Sequence, residues 1–567
     1  MLDVSPVLGL VALVLAQVGL IAWLRRRAAV PAAVAPALAA ALSLLITYAC
    51  GLAGRLSDAP WAVLVAGGLG LLWELIRSPI DLAKTLVHPA VLSLAVAMGA
   101  LSWLLRGRLF QHYDNFSHWA LVVRVMLRDA RLPDATDPLV TFHSYPLGTA
   151  SWEYAVARLT GPDEWHLMLA QDYLLAACAV SLLAVTPRRW WLGLPVAAGF
   201  GWTLATHGPA LDTLLVDSVL AGWTIAGLAL LAAHRGQVGR ATLPLAALVA
   251  ALVATKQTGV YWALVVILAA CLLRTGRWWQ RLAVLVVPTA VGAATLMAWQ
   301  RHTALVYGAE PATKHAISVS RFRDVLAAKT EQERASIGSA YLHAVATNRQ
   351  TWLVLAVLVL SLLLFMLARP GRGRRAAAAG AGVLGVTLVY LGGLYAMYLL
   401  SMPTGEALAL AGFTRYLSTL TLVLLGVVVL VGLHIAEHAE WTWAPAALVV
   451  SLAGCAVLIP RGPLLDPVPA DDVRVRVAAA FGQLTIKPDA SVCVFSDVRD
   501  GGYRTALVRY LLLDEHVATL RAPDRARATL PVPCDYAAVV DPYPAGDAYL
   551  RLRGHVLTPG RPVVVAR

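Results

Sequence analysis

The run from Thr242 to Leu273 reads TLPLAALVAALVATKQTGVYWALVVILAACLL, two predominantly apolar halves with a single charge, Lys256, between them. A helix crossing the hydrocarbon core needs about 20 mostly apolar residues, so the run is too long for one such helix. The turn Lys256-Gln257-Thr258-Gly259 divides it into two short ones. Each half is apolar on every face and leaves no side for water, which restricts it to lipid or to a deep core.

The rest of the chain decides for lipid. Similar stretches lie near 6–24, 30–52, 61–76, 89–106, 165–186, 192–206 and 218–233, and again near 281–300, 351–368, 376–400, 416–433 and 442–459. With the divided run counted twice, about fourteen transmembrane helices are expected. Composition agrees, since 59% of the residues are hydrophobic and only 14% charged. Soluble domains carry about 25% charged residues, so a water-soluble fold of 567 residues is excluded, and so is disorder. The expected class is an all-α polytopic membrane protein.

Forty-six basic residues against 33 acidic ones leave a formal charge of +13. No nucleic-acid-binding motif accompanies that excess. The arginines collect in short loops instead: Arg25-Arg26-Arg27, Arg77 with Lys84, Arg188-Arg189, Arg235 with Arg240, Arg274 to Arg281, and Arg369 to Arg375. If the spans alternate, all of these fall on one side, and the positive-inside rule makes it cytoplasmic. The N-terminus is then outside, and 6–24 is a retained helix, because its charges follow the apolar run and no small-residue cleavage site is convincing. An arginine- and alanine-rich chain with five lysines points to a bacterial plasma membrane.

Four parts follow. Residues 1–106 are N-terminal spans, and 107–164 form a large outer loop with amphipathic helices. Residues 165–460 are a transmembrane core with a second outer loop at 301–350. From 466 to 567 the period changes: strands are expected at Ser491–Ser496, Tyr536–Val540 and Pro562–Ala566, with an amphipathic helix over Thr505–Leu520. This is a small extracytoplasmic α/β domain. Cys493 and Cys534 lie in or beside its strands, as a bridge or as two buried thiols.

The chemistry concentrates on the outer side. Asp114 follows directly on a span, at the edge of a stretch whose Leu121, Val122, Val125 and Met126 share one helical face. Such a helix lies flat on a membrane surface, and Asp114 is either its N-cap or a base. Lys256, deep among apolar residues, either snorkels to the outer interface or holds a lipid phosphate as a point charge. Arg415 is an interfacial arginine or a bidentate phosphate ligand. His118 and His143 are hydrogen-bonded structure or partners of a phosphate or sugar hydroxyl. Asp212 and Asp217 sit in a short outer turn, Asp217 opening the next span as a cap or assisting acceptor binding. Glu153 lies on the second helix of the loop. Asp172 is expected to pair with an arginine, and Glu74 to be an interfacial charge. The mixed charges of 301–350 read as a solvated surface or a loop closing over the acceptor.

YDNFSHWALVVRVM at 113–126, followed by HSYPLGTASWEY at 143–154, resembles the first outer loop of GT-C glycosyltransferases, polytopic enzymes that use sugars carried on a polyprenyl phosphate. ATKQTG at 254–259 is similar to the T-K-x-x-G turn joining two short helices in many GT-C proteins, and FTRY at 413–416 resembles an R-Y element found late in related chains. The resemblance implies an inverting transfer from a polyprenyl-phosphate-linked sugar to an extracytoplasmic glycan, lipid or protein acceptor. It implies Asp114 as general base. Lys256, Arg415 and His118 then fall to the donor phosphate, and Asn115, His143, Tyr145, Asp217 and Tyr416 to substrate. No D-x-D includes Asp114 and no HExxH or CxxC occurs, so no metal ligand is assigned, and a divalent cation stays open as the cofactor. A transporter or flippase of lipid-linked sugars is the main alternative, and a polysaccharide polymerase or ligase is another. Transporters often carry paired broken helices, whereas here one interrupted span has no counterpart.

This topology predicts that a tag placed after Arg567 is reached by a membrane-impermeant label in intact spheroplasts; labelling only after lysis would invert it.

Overall fold

The computed structural model describes residues 5–208, 211–271, 277–308, 319–369, 373–440, 442–459, 472–482, 490–495, 502–513, 517–520, 534–539 and 563–566. They form two compact units. One comprises Met1–Arg106, Phe142–Leu211 and Val216–Leu464, the other Gly107–Thr141, Asp212–Leu215 and Leu465–Arg567. Arg274 and Ser496, named above, lie outside the described residues, as do Val540 and Pro562.

The chain begins with α1 (Pro6–Arg27), α2 (Ala35–Leu52), α3 (Ala59–Arg77), α4 (Pro79–Leu86) and α5 (Pro89–Leu105). Then come α6 (Tyr113–Ser117), α7 (Trp119–Asp129), α8 (Gly148–Thr160), α9 (Glu164–Val180), α10 (Trp190–Thr206) and α11 (Asp217–Ala233). The divided run supplies α12 (Thr242–Thr255) and α13 (Gly259–Cys271), followed by α14 (Trp278–Tyr307), α15 (Val319–Ala327), α16 (Glu331–Thr347) and α17 (Arg349–Ala368). Next are α18 (Gly373–Leu400), α19 (Thr404–Leu408), α20 (Phe413–His438) and α21 (Ala444–Val457). The tail contributes α22 (Val473–Gly482), β1 (Val492–Phe495), α23 (Tyr503–Leu512), β2 (Val517–Leu520), β3 (Tyr536–Val539) and β4 (Val563–Ala566).

Every expected span falls on a helix, and these helices differ in length. Among the described residues eight stretches are long and apolar enough to cross a membrane: α1, α2, α3 with the turn from Leu56, α9 with the 3-10 turn that continues it to Val185, α14, α17, α18 and α20; there are nine if the pair α4–α5, bent by 55°, is one span. The other five, α10 to α13 and α21, have 13 to 17 residues. Hydropathy registers apolar character and not the point at which a helix stops. The fold remains that of an all-helical integral membrane unit. Its helices approach closely where small residues meet: a Cβ added at Gly19 of α1 would lie 2.0 Å from the Gly67 carbonyl of α3, the small-residue packing that lipid favours.

Contacts within this unit define two ends. At one end three arginines gather around the C-terminus of α20. Arg189 donates to the carbonyls of Ala436 and Ala439, Arg369 to that of His438, and Arg235 lies against the His434 ring. The Glu437 carboxylate accepts the backbone N–H groups of Arg188 and Arg189. Cations are stabilised at a helix C-terminus, so these basic loops also terminate the helices. Arg26 pairs at 3.2 Å with Glu74, a residue expected at an interface that is 1% exposed.

The second unit contains α6, α7 and the tail. Its sheet has the order β2-β1-β3-β4, with β1 parallel to β2 and β3, and β4 antiparallel to β3. Residues 517–520, expected at the end of a helix over Thr505–Leu520, form β2, because α23 stops at Leu512 with Leu513 left-handed. The helix over 120–128 is covered by protein on most of its faces: from Trp119 to Met126 only Arg124 escapes burial, and Arg124 and Arg128 donate to the Leu511 and Leu513 carbonyls at the end of α23. The Arg128 hydrogen bond to Asp129 holds that carboxyl below its ordinary range. Cys493 and Cys534 form a disulfide with Cα atoms 5.8 Å apart, the bridge and not the free thiols.

Closing 41 residues of chain removes unfolded-state entropy amounting to about 4 kcal/mol in the chain-entropy model. Cys493→Ala/Cys534→Ala is therefore expected to lower the melting temperature and to make the tail sensitive to limited proteolysis. Wild-type protein under reducing conditions should reproduce that loss.

Candidate functional site

α12 ends at Thr255 and Lys256 is extended, with φ −162° and ψ 155°. The chain then folds back so tightly that a Cβ on Gly259 would fall 1.9 Å from the Leu252 carbonyl oxygen. Only glycine permits this approach. The expected break is thus a hairpin of two short helices, with Lys256 held at its tip.

There the Lys256 ammonium donates to the Asp217 carboxylate at 2.9 Å, and the Arg415 guanidinium lies 3.4 Å from the other oxygen of the same carboxylate. The side chains of Lys256 and Asp217 are 4% and 3% exposed. Asp217 opens α11, where a carboxylate is favoured by the helix dipole. Arg415 sits in the first turn of α20, where the dipole disfavours a cation, so its place there depends on Asp217. Tyr416 presents its ring to both cations, 5.1 Å from the Lys256 nitrogen and 4.9 Å from the guanidinium carbon of Arg415, and its hydroxyl accepts from Arg415 at 3.1 Å. Thr419 donates to the Asp217 carbonyl, joining α20 to α11.

The triad lies at the end of α20 opposite the arginine cluster. From Arg415 to His434 the helix rises about 28 Å, close to the thickness of a hydrocarbon core. Two cations and one anion leave a formal +1, and α11 and α20 both point their positive ends at it. That combination selects an anion.

A cavity of about 370 Å³ opens beside the triad. Asp217, Lys256, Gln257, Thr258, Tyr145 and Tyr416 line its polar end. Its wall is α18, through Val389, Tyr390, Gly393, Leu394, Met397 and Leu400, with Phe322 of α15 and Tyr261 of α13. Val389 is 63% exposed, and Leu388 beside it 60%, so the wall continues onto a surface that faces lipid. Tyr390 donates to the Tyr416 carbonyl at 2.7 Å and fixes α18 against α20. The Ser144 carbonyl accepts from Gln257 and Trp299, each at 3.0 Å, which anchors the segment carrying Tyr145.

The structure thus brings together Lys256, Asp217, Arg415, Tyr416 and Tyr145. His143 is outside the cavity lining and stacks on Tyr307 with ring centroids 3.8 Å apart. Asp114, Asn115 and His118 belong to the other unit. There the N-cap of α6 is His112, whose ring accepts the Asp114 backbone N–H at 3.2 Å, so Asp114 is a first-turn residue and not the cap. Asn115 is buried and its side-chain carbonyl accepts the Leu214 N–H at 3.0 Å. His118 is buried edge-on against Trp119.

The apolar wall had no signal in the sequence, because α18 is uniformly apolar and only packing chooses which face meets the cavity. Segment 301–350 also differs from a merely solvated surface. Lys329 is buried, donating to the carbonyls of Val325, Leu399 and Met402 at 3.3, 3.1 and 2.7 Å, and so ties the end of α15 to the end of α18. Among the described residues no group of histidine, cysteine and carboxylate side chains is arranged to hold a metal ion.

Crystal structures of ArnT from Cupriavidus metallidurans are similar to this chain over 84% of its length and 97% of theirs, with a TM-score of 0.38. The one bound to undecaprenyl phosphate is 19% identical and the one in the apo state 17%. No family model and no curated protein matches the sequence. Identity this low leaves the chemistry to be argued from the residues themselves.

Removing one member of a buried charge cluster strands the others, at about 3–5 kcal/mol. Asp217→Asn is expected to lower the thermal midpoint of the purified protein sharply. Adding Lys256→Met should restore much of that loss, and a double-mutant cycle on the two midpoints checks the coupling.

Proposed function

We propose that this protein is a membrane-integral inverting glycosyltransferase that moves a sugar from a polyprenyl-phosphate donor to an extracytoplasmic glycan, lipid or protein acceptor. The observation that carries the proposal is an apolar cavity whose polar end is lined by the buried Lys256–Asp217 pair, with the half-buried Arg415 behind it on the same carboxylate. A ligand complementary to it has an anionic head and a hydrocarbon chain. The basic cluster at the far end of α20 supports an extracytoplasmic triad through the positive-inside rule.

The charge count suits transfer. A sugar phosphodiester of a polyprenol carries one negative charge, matched by the formal +1 of Lys256, Arg415 and Asp217. When the bond from the anomeric carbon to the phosphate oxygen breaks, the leaving polyprenyl phosphate gains a second charge. Lys256 and Arg415 then attract it more strongly than the ground state, the condition for acceleration and not merely binding. Asp114 takes the proton of the acceptor hydroxyl as that oxygen attacks the anomeric carbon, and the phosphate departs from the opposite face with inversion. A general base supplies about 10²–10⁴-fold, and positioning and electrostatics supply the remainder.

The test is transfer by the purified protein with a panel of synthetic polyprenyl-phosphate sugars. Asp114→Asn should lose about 10²-fold or more while still binding polyprenyl phosphate. Gly393 faces the cavity, and a Cβ there meets nothing within 4 Å, so Gly393→Phe should fold normally and fail to bind the lipid. Translocation of labelled lipid without transfer would identify a flippase instead.

A further inference from the structure

The helix that carries Asp114 cannot hold its own shape. α6 has five residues, far below the length at which an isolated helix persists in water. Its geometry is imposed by neighbours, and within its unit those neighbours come largely from the tail. Phe116, two residues from Asp114, is fully buried. Its ring meets Tyr503 edge-on at 5.5 Å and Tyr510 at 5.2 Å, both on α23. The Arg474 guanidinium of α22 lies over Phe116 and Tyr510 at 5.6 and 5.7 Å. The Tyr503 hydroxyl donates at 3.1 Å to the carbonyl of Gln111, just before the α6 cap. On the following helix Arg124 lies 4.7 Å from the Tyr510 ring centroid.

Tyr510 is therefore the common point, 1% exposed, where Phe116, Arg124 and Arg474 converge. Aromatic and arginine side chains are also what a glycan-binding platform would present to solvent. Here they are spent on α6 and α7. We propose that the C-terminal domain is a positioning element for the acceptor base: α23 and Arg474 fix α6 through Phe116 and so set the Asp114 carboxylate, with Tyr510 and Tyr503 as positioning residues. This rests on the reading of Asp114 as general base.

The experiment uses the full-length protein in nanodiscs. Tyr510→Leu should raise hydrogen exchange across residues 111–118 and leave α11 and α20 unchanged. In the transfer assay it should lower kcat by about 100-fold, the loss that accompanies a misplaced group, with the donor KM held within about twofold. Tyr510→Phe keeps the ring and should restore kcat. Combined with Asp114→Asn, Tyr510→Leu should add no further loss, because both act through one carboxylate. Should Tyr510→Leu fail to fold, Tyr503→Phe, which removes only the hydroxyl bonded to Gln111, serves in its place. Unchanged exchange over 111–118, or a wild-type kcat in a protein that Asp114→Asn inactivates, overturns the positioning role. Full transfer by Asp114→Asn instead removes the base assignment, and the exchange measurement still decides whether the tail orders α6.

Discussion

One carboxylate at the start of α11 holds two cations that the bilayer would not tolerate alone, one of them set against the dipole of its own helix. Lys256 lies at the tip of a hairpin of apolar helices, and Arg415 occupies the end of α20 where the backbone dipole is positive. Both are drawn to Asp217, at 2.9 and 3.4 Å. Because α11, the α12–α13 hairpin and α20 each contribute one member, the ion cluster also fixes how these helices meet. A buried charge cluster is weak evidence for stability, since its desolvation opposes its attraction.

Shape complements charge. α18 turns an apolar face toward the cluster and another toward lipid, and Gly393 leaves width where a larger side chain would fill the cavity. Lys329, tying α15 to the end of α18, brings Phe322 into the same wall. A charged end and a greasy wall in one cavity specify an amphipathic ligand more narrowly than either alone.

Much of this was legible before any coordinates. Lys256 stands out because a lone lysine among apolar residues needs a reason, and the KQTG turn marks the hairpin directly. Arg415 is visible as an arginine near a span end, in the FTRY stretch at 413–416. That Asp217 is the partner of both was not legible, since α11 and α12 both lie between Asp217 and Lys256 and Arg415 is far downstream. Hydropathy likewise detects the five short helices but gives no account of their depth. In the tail, β2 was hidden because Val517 to Leu520 continues the apolar pattern of α23, and the left-handed Leu513 that separates them has no signature of its own.

By itself the sequence determined solvent and class: apolar runs must lie in lipid, because transfer energies depend on composition and not on partners. It also singled out the residues whose charge is expensive where they stand. Only the tertiary structure decided which of those charges share a carboxylate, which face of α18 lines the cavity, and that α6 leans on the tail through Phe116. Those are contacts between residues distant along the chain, and local propensity carries no information about them.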